Sequence, residues 1–429
     1  MSTPSTPDQG AVPAVSEELQ SDLPADLQDE RLIASRGWRG AVSVFTSRLR
    51  SGDLGSLPVI IGLIVIWGVF QALNPDFLSA RNLVNLTLQS AAIGTISIGI
   101  VLVLLLGEID LSVGSVSGLA AAIMGVGWVQ HGWPLGLAVL AGLLTGTVVG
   151  LFYGGLYTRF GVPSFVITLA GLLGFLGLQL YVLGAEGSLN LPFTSPLVKF
   201  ASQAFLPAGV AYLVVLLVVL AYVASRMASR RRRAAAGLST VPTGMLVARA
   251  VGLAVVLAVP VAVLNQDRGV SWMFILFVAL VVVMDLALRR TTWGRSVMAV
   301  GGNVEAARRS GINVRGIYLS VFALCSTFAA LGGILAAGRL AAVNQSSGGG
   351  DTNLNAIAAA VIGGTSLFGG RGSAYSALLG IIVIQSISSG LSLLNLDSSI
   401  RFMVTGAVLL LAVIIDSLSR RSRVAHGRA

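Results

Sequence analysis

Residues 89–128 read QSAAIGTISIGIVLVLLLGEIDLSVGSVSGLAAAIMGVGW, two long apolar runs joined by a very short polar segment. The runs, 89–107 and 111–128, approach or exceed the ~18 residues that a helix needs to cross a bilayer. Inside lipid every backbone N–H and C=O needs a partner within the protein, and a helix supplies those partners locally. The stretch therefore predicts an all-α fold, a polytopic membrane helix bundle.

The composition of the whole chain agrees with this prediction. Of the 429 residues, 55% are hydrophobic and 11% are charged, whereas an ordinary soluble domain carries about 25% charged residues. Glycine is abundant, at 52 residues, which suits helices that pack backbone to backbone in lipid. One cysteine, Cys325, and two histidines, His131 and His426, exclude an intramolecular disulfide and a cysteine or histidine metal cluster.

Twelve apolar segments are recognisable along the chain. Their predicted bounds are 57–73, 89–107, 111–128, 135–157, 163–183, 205–225, 248–265, 270–288, 317–340, 356–370, 374–394 and 400–418. With the N-terminus inside, 23 of the 28 Lys and Arg residues fall on the cytoplasmic side, where membrane proteins concentrate positive charge. We therefore expect both termini in the cytoplasm, and we interpret the net charge of +10 as an orientation signal, with no nucleic-acid partner.

The same patterns predict three regions. Residues 1–50 form a cytoplasmic tail, disordered at first; its second part, Glu30 to Arg50, is either a basic amphipathic helix on the membrane surface or a solvated linker helix. Residues 51–420 form the transmembrane domain, including a cytoplasmic loop at 289–316. Residues 421–429 form a basic cytoplasmic tail.

Two places interrupt the apolar pattern. In GEIDLSVG, 107–114, Glu108 and Asp110 lie between two spans, and we expect Asp110 to accept free N–H groups at the start of the next helix. The second place, IGGTSLFGGRG at 362–372, follows an apolar run of about 15 residues, or ~22 Å of helix. Because a bilayer core is ~30 Å thick, we expect a broken or re-entrant segment that faces protein or a wet cavity. Whether the two breaks belong to an internal repeat stays open.

The sequence offers no constellation for covalent chemistry. It contains no recognisable nucleophile with an acid–base pair and no Walker-type Gly-x4-Gly-Lys-Ser/Thr motif, so we expect no catalytic residue, no metal and no cofactor. Proton-coupled transporters usually carry ionisable residues in mid-span, but Asp285 and Asp416 fall near predicted span ends. Glu108 and Asp110 remain the candidates for such a role, with helix capping as the competing interpretation.

Residues 291–315, TTWGRSVMAVGGNVEAARRSGINVR, form a polar, Arg-rich stretch between two apolar runs. At its centre Glu305, Ala306 and Ala307 are followed by Gly311. The pattern predicts a short charged helix that ends at the glycine. The alanines allow close approach and the Glu can pair with a basic partner, so the helix suits a cleft in another protein; a solvated loop is the alternative.

Four segments occur in one order: GEIDLSVGSVSGL from Gly107, VGGNVEAARRSGINV from Val300, AAAVIGGTSLFGGRGS from Ala358 and VLLLAVIID from Val408. In these segments, and over about residues 57–418, the chain resembles the ribose/xylose family of sugar ABC-importer permeases. It is most similar to the xylose type, which carries an added apolar pair, here at about 205–265. Many importers continue the docking motif with Ile-x-Leu-Pro; this chain has Val321-Phe322-Ala323-Leu324, and the sugar family generally lacks that ending.

The resemblance implies a permease subunit, in the bacterial cytoplasmic membrane, of an ATP-driven importer for xylose or a similar monosaccharide. It implies a cytosolic ABC ATPase, an extracytoplasmic sugar-binding protein and a second permease subunit, which we expect to be another copy, with a different permease left open. It assigns contact with the ATPase to Glu305, Ala306, Ala307, Arg308, Arg309 and Gly311. A permease for branched-chain amino acids or nucleosides, and an ion-coupled transporter or channel, remain as alternatives.

Candidate pathway or gate residues are few. They are Glu108, Asp110, Ser112, Gln179 and Gln385. The two glutamines are predicted in mid-span, where a buried amide without a partner costs about 1–3 kcal/mol, so each needs another helix, water or substrate. Polar residues beside the short segment are candidates for docking the binding protein, or for a wet loop: Asn344, Gln345, Asn353 and Asn355.

Overall fold

The computed structural model describes residues 57–237, 243–400, 402–408, 410 and 414. The predicted tails at 1–50 and 421–429 lie outside these described residues. Most of the described residues are helical and very few are in strands, so the predicted all-α membrane bundle is confirmed. In the described part, eight helices are long and apolar enough to cross a membrane, and two shorter apolar helices accompany them.

The helices follow one another with short connections. In chain order they are α1 (Leu57–Leu73), α2 (Ala80–Leu105), α3 (Val113–Val129), α4 (Leu135–Phe160), α5 (Ser164–Leu183), α6 (Ala208–Ala235), α7 (Thr243–Leu264), α8 (Trp272–Arg290), α9 (Thr292–Gly302), α10 (Val304–Arg309), α11 (Val314–Leu340), α12 (Gly350–Ile362) and α13 (Tyr375–Leu393). Two short strands, β1 (Ser188–Asn190) and β2 (Ala342–Asn344), pair antiparallel with Leu189 opposite Val343. A single turn at Pro196–Val198 continues into a π-helix at Lys199–Gln203.

The described residues form two compact units. The smaller contains 212–237 and 243–259, most of α6 and α7, and corresponds to the added apolar pair predicted at about 205–265. Its apolar side chains are largely exposed, such as Leu217 and Val256, as expected of a surface that meets lipid. Within this unit a guanidinium N–H of Arg230 donates a 2.6 Å hydrogen bond to the Thr243 hydroxyl.

Helices α2 and α11 form the centre of the larger unit. Helix α2 is apolar on all sides and is buried almost continuously from Ser90 to Leu105, the position that an all-round apolar helix favours. Helix α11 packs against α2, α3 and α4. Around this core, α13 packs on α2 and α12, and α1 lies against α13, where Trp67 donates a 2.8 Å hydrogen bond to Ser386.

The contact between α4 and α11 depends on glycine. A Cβ at Gly150 would meet the Phe322 carbonyl, and one at Gly146 would meet the Ser326 carbonyl. Small residues let two helix backbones approach closely, which favours helix association in lipid. Beside them the hydroxyls of Thr147 and Thr327 share a 2.8 Å hydrogen bond.

The predicted break near 362 is confirmed, with different bounds. Helix α12 has 13 residues, about 20 Å of helix, and ends at Ile362, so the segment predicted at 356–370 began too late and ran too far. The polar first turns of α12 hid its start from a hydropathy pattern. The same cause explains α2, which begins at Ala80 and not at 89, because its first turns contain Arg81, Asn82 and Asn85.

Candidate functional site

The polar stretch at 291–315 contains a short helix, as its pattern predicts. Asn303 caps α10 by accepting the N–H of Ala306 at 2.9 Å. Gly311 adopts φ +80°, a left-handed conformation that costs glycine little, and its N–H bonds the Arg308 carbonyl at 3.0 Å. We call residues 291–313, with α9 and α10, the coupling segment.

The charged face of α10 is exposed and internally paired. The Glu305 carboxylate accepts hydrogen bonds from Arg308 at 3.2 Å and Arg309 at 3.4 Å, and all three side chains are more than half exposed. Exposed pairs at these helical spacings contribute about 0.2–0.5 kcal/mol each. The two ion pairs therefore fix the positions of the charged side chains but add little to the stability of the fold. The charged face stays accessible to a partner.

The two alanines of α10 have different surroundings. Ala306 is exposed, but Ala307 is 4% exposed and belongs to the hydrophobic core. Close approach to a partner is therefore open to Ala306, whereas Ala307 seats α10 on its own chain. The sequence pattern did not distinguish them, because helix phase relative to the bundle depends on distant contacts.

Helix α9 anchors the coupling segment to the bundle. Trp293 donates a 2.9 Å hydrogen bond from its indole to Ser320 of α11, and Val297 and Val300 are fully buried. A Cβ at Gly301 would meet the Leu105 carbonyl at the end of α2. The same carbonyl accepts the N–H of Gly370 at 2.8 Å, so the coupling segment lies beside both breaks.

Glu108, in the first break, bonds to a neighbouring helix. Its carboxylate accepts a 2.6 Å hydrogen bond from the phenol of Tyr157 near the end of α4. The Tyr157 ring lies 4.5 Å, between centroids, from the ring of Tyr318, which is in the second turn of α11. Glu108 is therefore tied to the helix that follows the coupling segment.

Asp110 lies deeper in the same break, with 1% of its surface exposed. Its Oδ1 accepts the N–H of Ser112 at 2.8 Å and the Ser112 hydroxyl at 2.7 Å, and the Cys325 thiol donates to Oδ2 at 3.7 Å. The carboxylate therefore holds Ser112, which directly precedes α3. The predicted hydrogen bonds to Asp110 from N–H groups in the first turn of α3 are not observed. Ser112 makes no side-chain capping bond of its own.

Side chains from other helices satisfy the backbone of this break. The N–H of Leu111 donates to Thr168 at 3.1 Å, and its carbonyl accepts from Asn353 at 2.7 Å. Unpaired backbone at membrane depth is costly, which explains these polar contacts. Asn353 is 8% exposed, so its predicted place on a docking surface for a binding protein is wrong.

A cavity of about 310 Å³ lies among α2, α3, α11, α12 and α13. Gln385 of α13 and Arg339 of α11 line it. The Nε of Arg339 is buried and has no hydrogen-bond acceptor among the described residues. The other polar lining residues are Gln89, Ser117, Asn344, Ser346, Ser347 and Thr352.

The structure does not gather the predicted pathway residues in one place. Gln385 reaches the cavity, but Glu108, Asp110, Ser112 and Gln179 are not among its lining residues. The amide of Gln179 donates to the carbonyls of Asn344 at 3.1 Å and Ser347 at 2.9 Å, so it holds the loop after β2. The chain itself therefore satisfies the amide N–H groups of Gln179, while its Oε1 has no partner among the described residues.

Sequence reasoning missed Arg339. The residue falls at the end of the predicted span 317–340, and a positive charge inside an apolar run is the signal that could have found it. Asp285, also near a span end, is 7% exposed and pairs with Arg289 at 2.9 Å.

Within the described residues, no group of three or more His, Cys, Asp or Glu side chains could hold a metal.

Comparisons with known proteins match most of the chain. The model of the family described as branched-chain amino acid transport system / permease component matches residues 82–413. The chain is 37% identical to the xylose transport system permease protein XylH of Escherichia coli (strain K12), over 87% of this chain and 95% of that protein. It is 31% identical to the ribose import permease protein RbsC of Bacillus subtilis (strain 168), over 85% and 94%. No solved structure matches it.

Proposed function

The chain belongs to the branched-chain amino acid transport system / permease component family, and we propose that it is the membrane-spanning permease subunit of an ATP-driven monosaccharide importer. It is a multi-pass protein of the bacterial inner membrane. The proposed substrate is xylose or a closely similar sugar, because relatives at 37% and 33% identity are named as xylose permeases.

The observation that carries this proposal is the coupling segment. It presents an exposed, charged helix between two long apolar helices, α8 and α11, and rests on the ends of the bundle through α9. An arrangement of this kind suits a subunit that is moved by a separate protein. The chain performs no ATP hydrolysis in this proposal, since a partner ATPase supplies it.

Three partners belong to the proposal. A cytosolic ATPase binds the coupling segment, through Glu305, Ala306, Arg308 and Arg309, with Ala307 and Gly311 shaping α10. An extracytoplasmic binding protein delivers the sugar. A second permease subunit, another copy of this chain, completes the pathway.

Helix α11 provides a direct mechanical link in this scheme. It begins at Val314, just after the coupling segment, and ends at Leu340 beside the cavity. Its 27 residues span about 40 Å. A rigid helix transmits displacement of one end to the other. Movement of the coupling segment by the ATPase would therefore change the cavity at the far end of α11.

Two alternatives have less support. The family description names branched-chain amino acids, but relatives of this chain are named for xylose, ribose and fructose. An ion-coupled transporter needs a titratable relay within its spans. Asp285, a buried carboxylate of α8, is instead held in an i,i+4 ion pair with Arg289. The candidates Glu108 and Asp110 accept hydrogen bonds from Tyr157 and Ser112, which favours a structural role for both.

Glu305→Arg tests the coupling role. The substitution replaces the shared carboxylate with a third cation beside Arg308 and Arg309, so it reverses the charge at position 305 while removing only weak exposed ion pairs. We expect normal membrane insertion and abolished ATP-driven uptake, measured as radiolabelled xylose accumulation in cells with matched permease levels.

Asp76→Arg is the control, because Asp76 is an exposed acid between α1 and α2, away from the coupling segment. It makes the same charge change and should leave uptake near the wild-type level. Normal uptake by Glu305→Arg at wild-type protein levels would contradict the coupling role.

A further inference from the structure

We propose that Arg339 is the residue of this permease that binds the transported solute, and that the solute is a neutral polyhydroxylated molecule seated in the cavity beside α11. The proposal rests on the proposed function and assigns its substrate site. No comparison assigns a role to this residue.

The cavity has the size and polarity of a small-molecule site. Its volume of about 310 Å³ is at the lower end of the range for ligand pockets, about 300–1,000 Å³. Its wall combines apolar side chains such as Ile93 and Ile96 with amides and hydroxyls, including those of Gln89, Gln385 and Ser117. Such groups fix the orientation of a ligand that carries several hydroxyls.

Arg339 is the unsatisfied member of this wall. Its Nε is buried and lacks an acceptor among the described residues. A guanidinium keeps its proton in a protein, and a buried donor without an acceptor is costly. A ligand that offers lone pairs to this fork of N–H donors removes part of that cost.

The charge of the wall selects the class of ligand. Among the described residues that line the cavity, none is Asp or Glu, so a solute with an ammonium group finds a like charge and no counter-ion. A carboxylate would form a paired, desolvated contact with the guanidinium, a strong interaction that hinders release in a transport cycle. Neutral hydroxyl oxygens accept from the guanidinium with intermediate strength, which suits a site that must also let its solute go.

The experiment measures xylose transported per ATP hydrolysed, in proteoliposomes that contain the permease, its ATPase and saturating xylose-loaded binding protein. For Arg339→Gln we expect this ratio to fall roughly tenfold or more, because a hydrogen bond to a charged group is lost. Stimulation of the ATPase by the loaded binding protein should persist. Arg339→Lys keeps the charge but not the planar fork, so its ratio of xylose to ATP should lie between those of the wild type and Arg339→Gln.

Arg81→Gln is the control, since Arg81 is exposed near the start of α2 and does not line the cavity. An unchanged ratio in Arg339→Gln would overturn the inference. So would a loss of uptake that only parallels a loss of folded protein, measured by thermal unfolding of the purified variants. If the wild-type system shows no ATP-driven xylose uptake, the proposed function itself fails. That result differs from both outcomes for Arg339→Gln, which concern the variant alone.

Discussion

The phenol of Tyr157 donates a 2.6 Å hydrogen bond to the carboxylate of Glu108. The bond joins the end of α4 to the first break, and the Tyr157 ring also contacts Tyr318 of α11. Because α11 directly follows the coupling segment, this contact connects the segment to the break. In the proposed importer, the pair is therefore placed to respond to movement of the coupling segment.

Tyr157→Phe should lower both stability and uptake. The substitution removes a hydrogen bond to a charged group, which contributes about 1.5–3 kcal/mol, while keeping the ring contact with Tyr318. The measurement is thermal unfolding of the purified permease, together with uptake at matched protein levels. Tyr181→Phe is the control, because Tyr181 is 83% exposed; equal effects of the two changes would contradict a role for the Glu108 bond.

Asp110→Ala should reduce transport more than it reduces the amount of folded protein. It deprives the N–H and hydroxyl of Ser112 of their acceptor, and an unsatisfied buried donor costs about 1–3 kcal/mol. Asp110→Asn keeps an oxygen acceptor, so it should destabilise the protein less than Asp110→Ala does. Uptake and folded protein are measured in parallel, and an equal fall in both would support a purely structural role.

Gly150→Ala should destabilise the bundle, because its methyl group would collide with the Phe322 carbonyl of α11. Overpacking of this kind typically costs about 1–3 kcal/mol. Gly155→Ala, in the same helix, is the control, since a Cβ there meets nothing within 4 Å. It should be neutral or stabilising by up to about 1 kcal/mol. Thermal unfolding of both variants compares them, and equal melting temperatures would exclude the close crossing.

Local pattern was enough to predict several features of this molecule. The apolar runs gave the helical membrane fold, and the glycine-rich stretch after Ile362 marked a real break. Glu305 and Gly311 marked a short helix in the polar stretch, which the structure places at Val304–Arg309. Each of these signals is carried by residues that are close together in the chain.

The cavity could not be predicted in the same way. Gln89, Arg339 and Gln385 come from three helices, and their meeting depends on how those helices pack. Gln179 and Gln385 look equivalent in sequence, yet Gln179 holds two loop carbonyls and Gln385 lines the cavity. Hydropathy also hid the polar starts of α2 and α12, since polar residues can be buried where other helices satisfy them.

The most direct test of the central claim is sugar uptake by the reconstituted system. The permease is placed in proteoliposomes with its ATPase and binding protein, and xylose accumulation is measured with and without enclosed ATP. The account predicts accumulation that requires ATP and the ATPase subunit and persists when a protonophore collapses the proton gradient. Accumulation by the permease alone, or uptake that the protonophore abolishes while ATP remains, would contradict it.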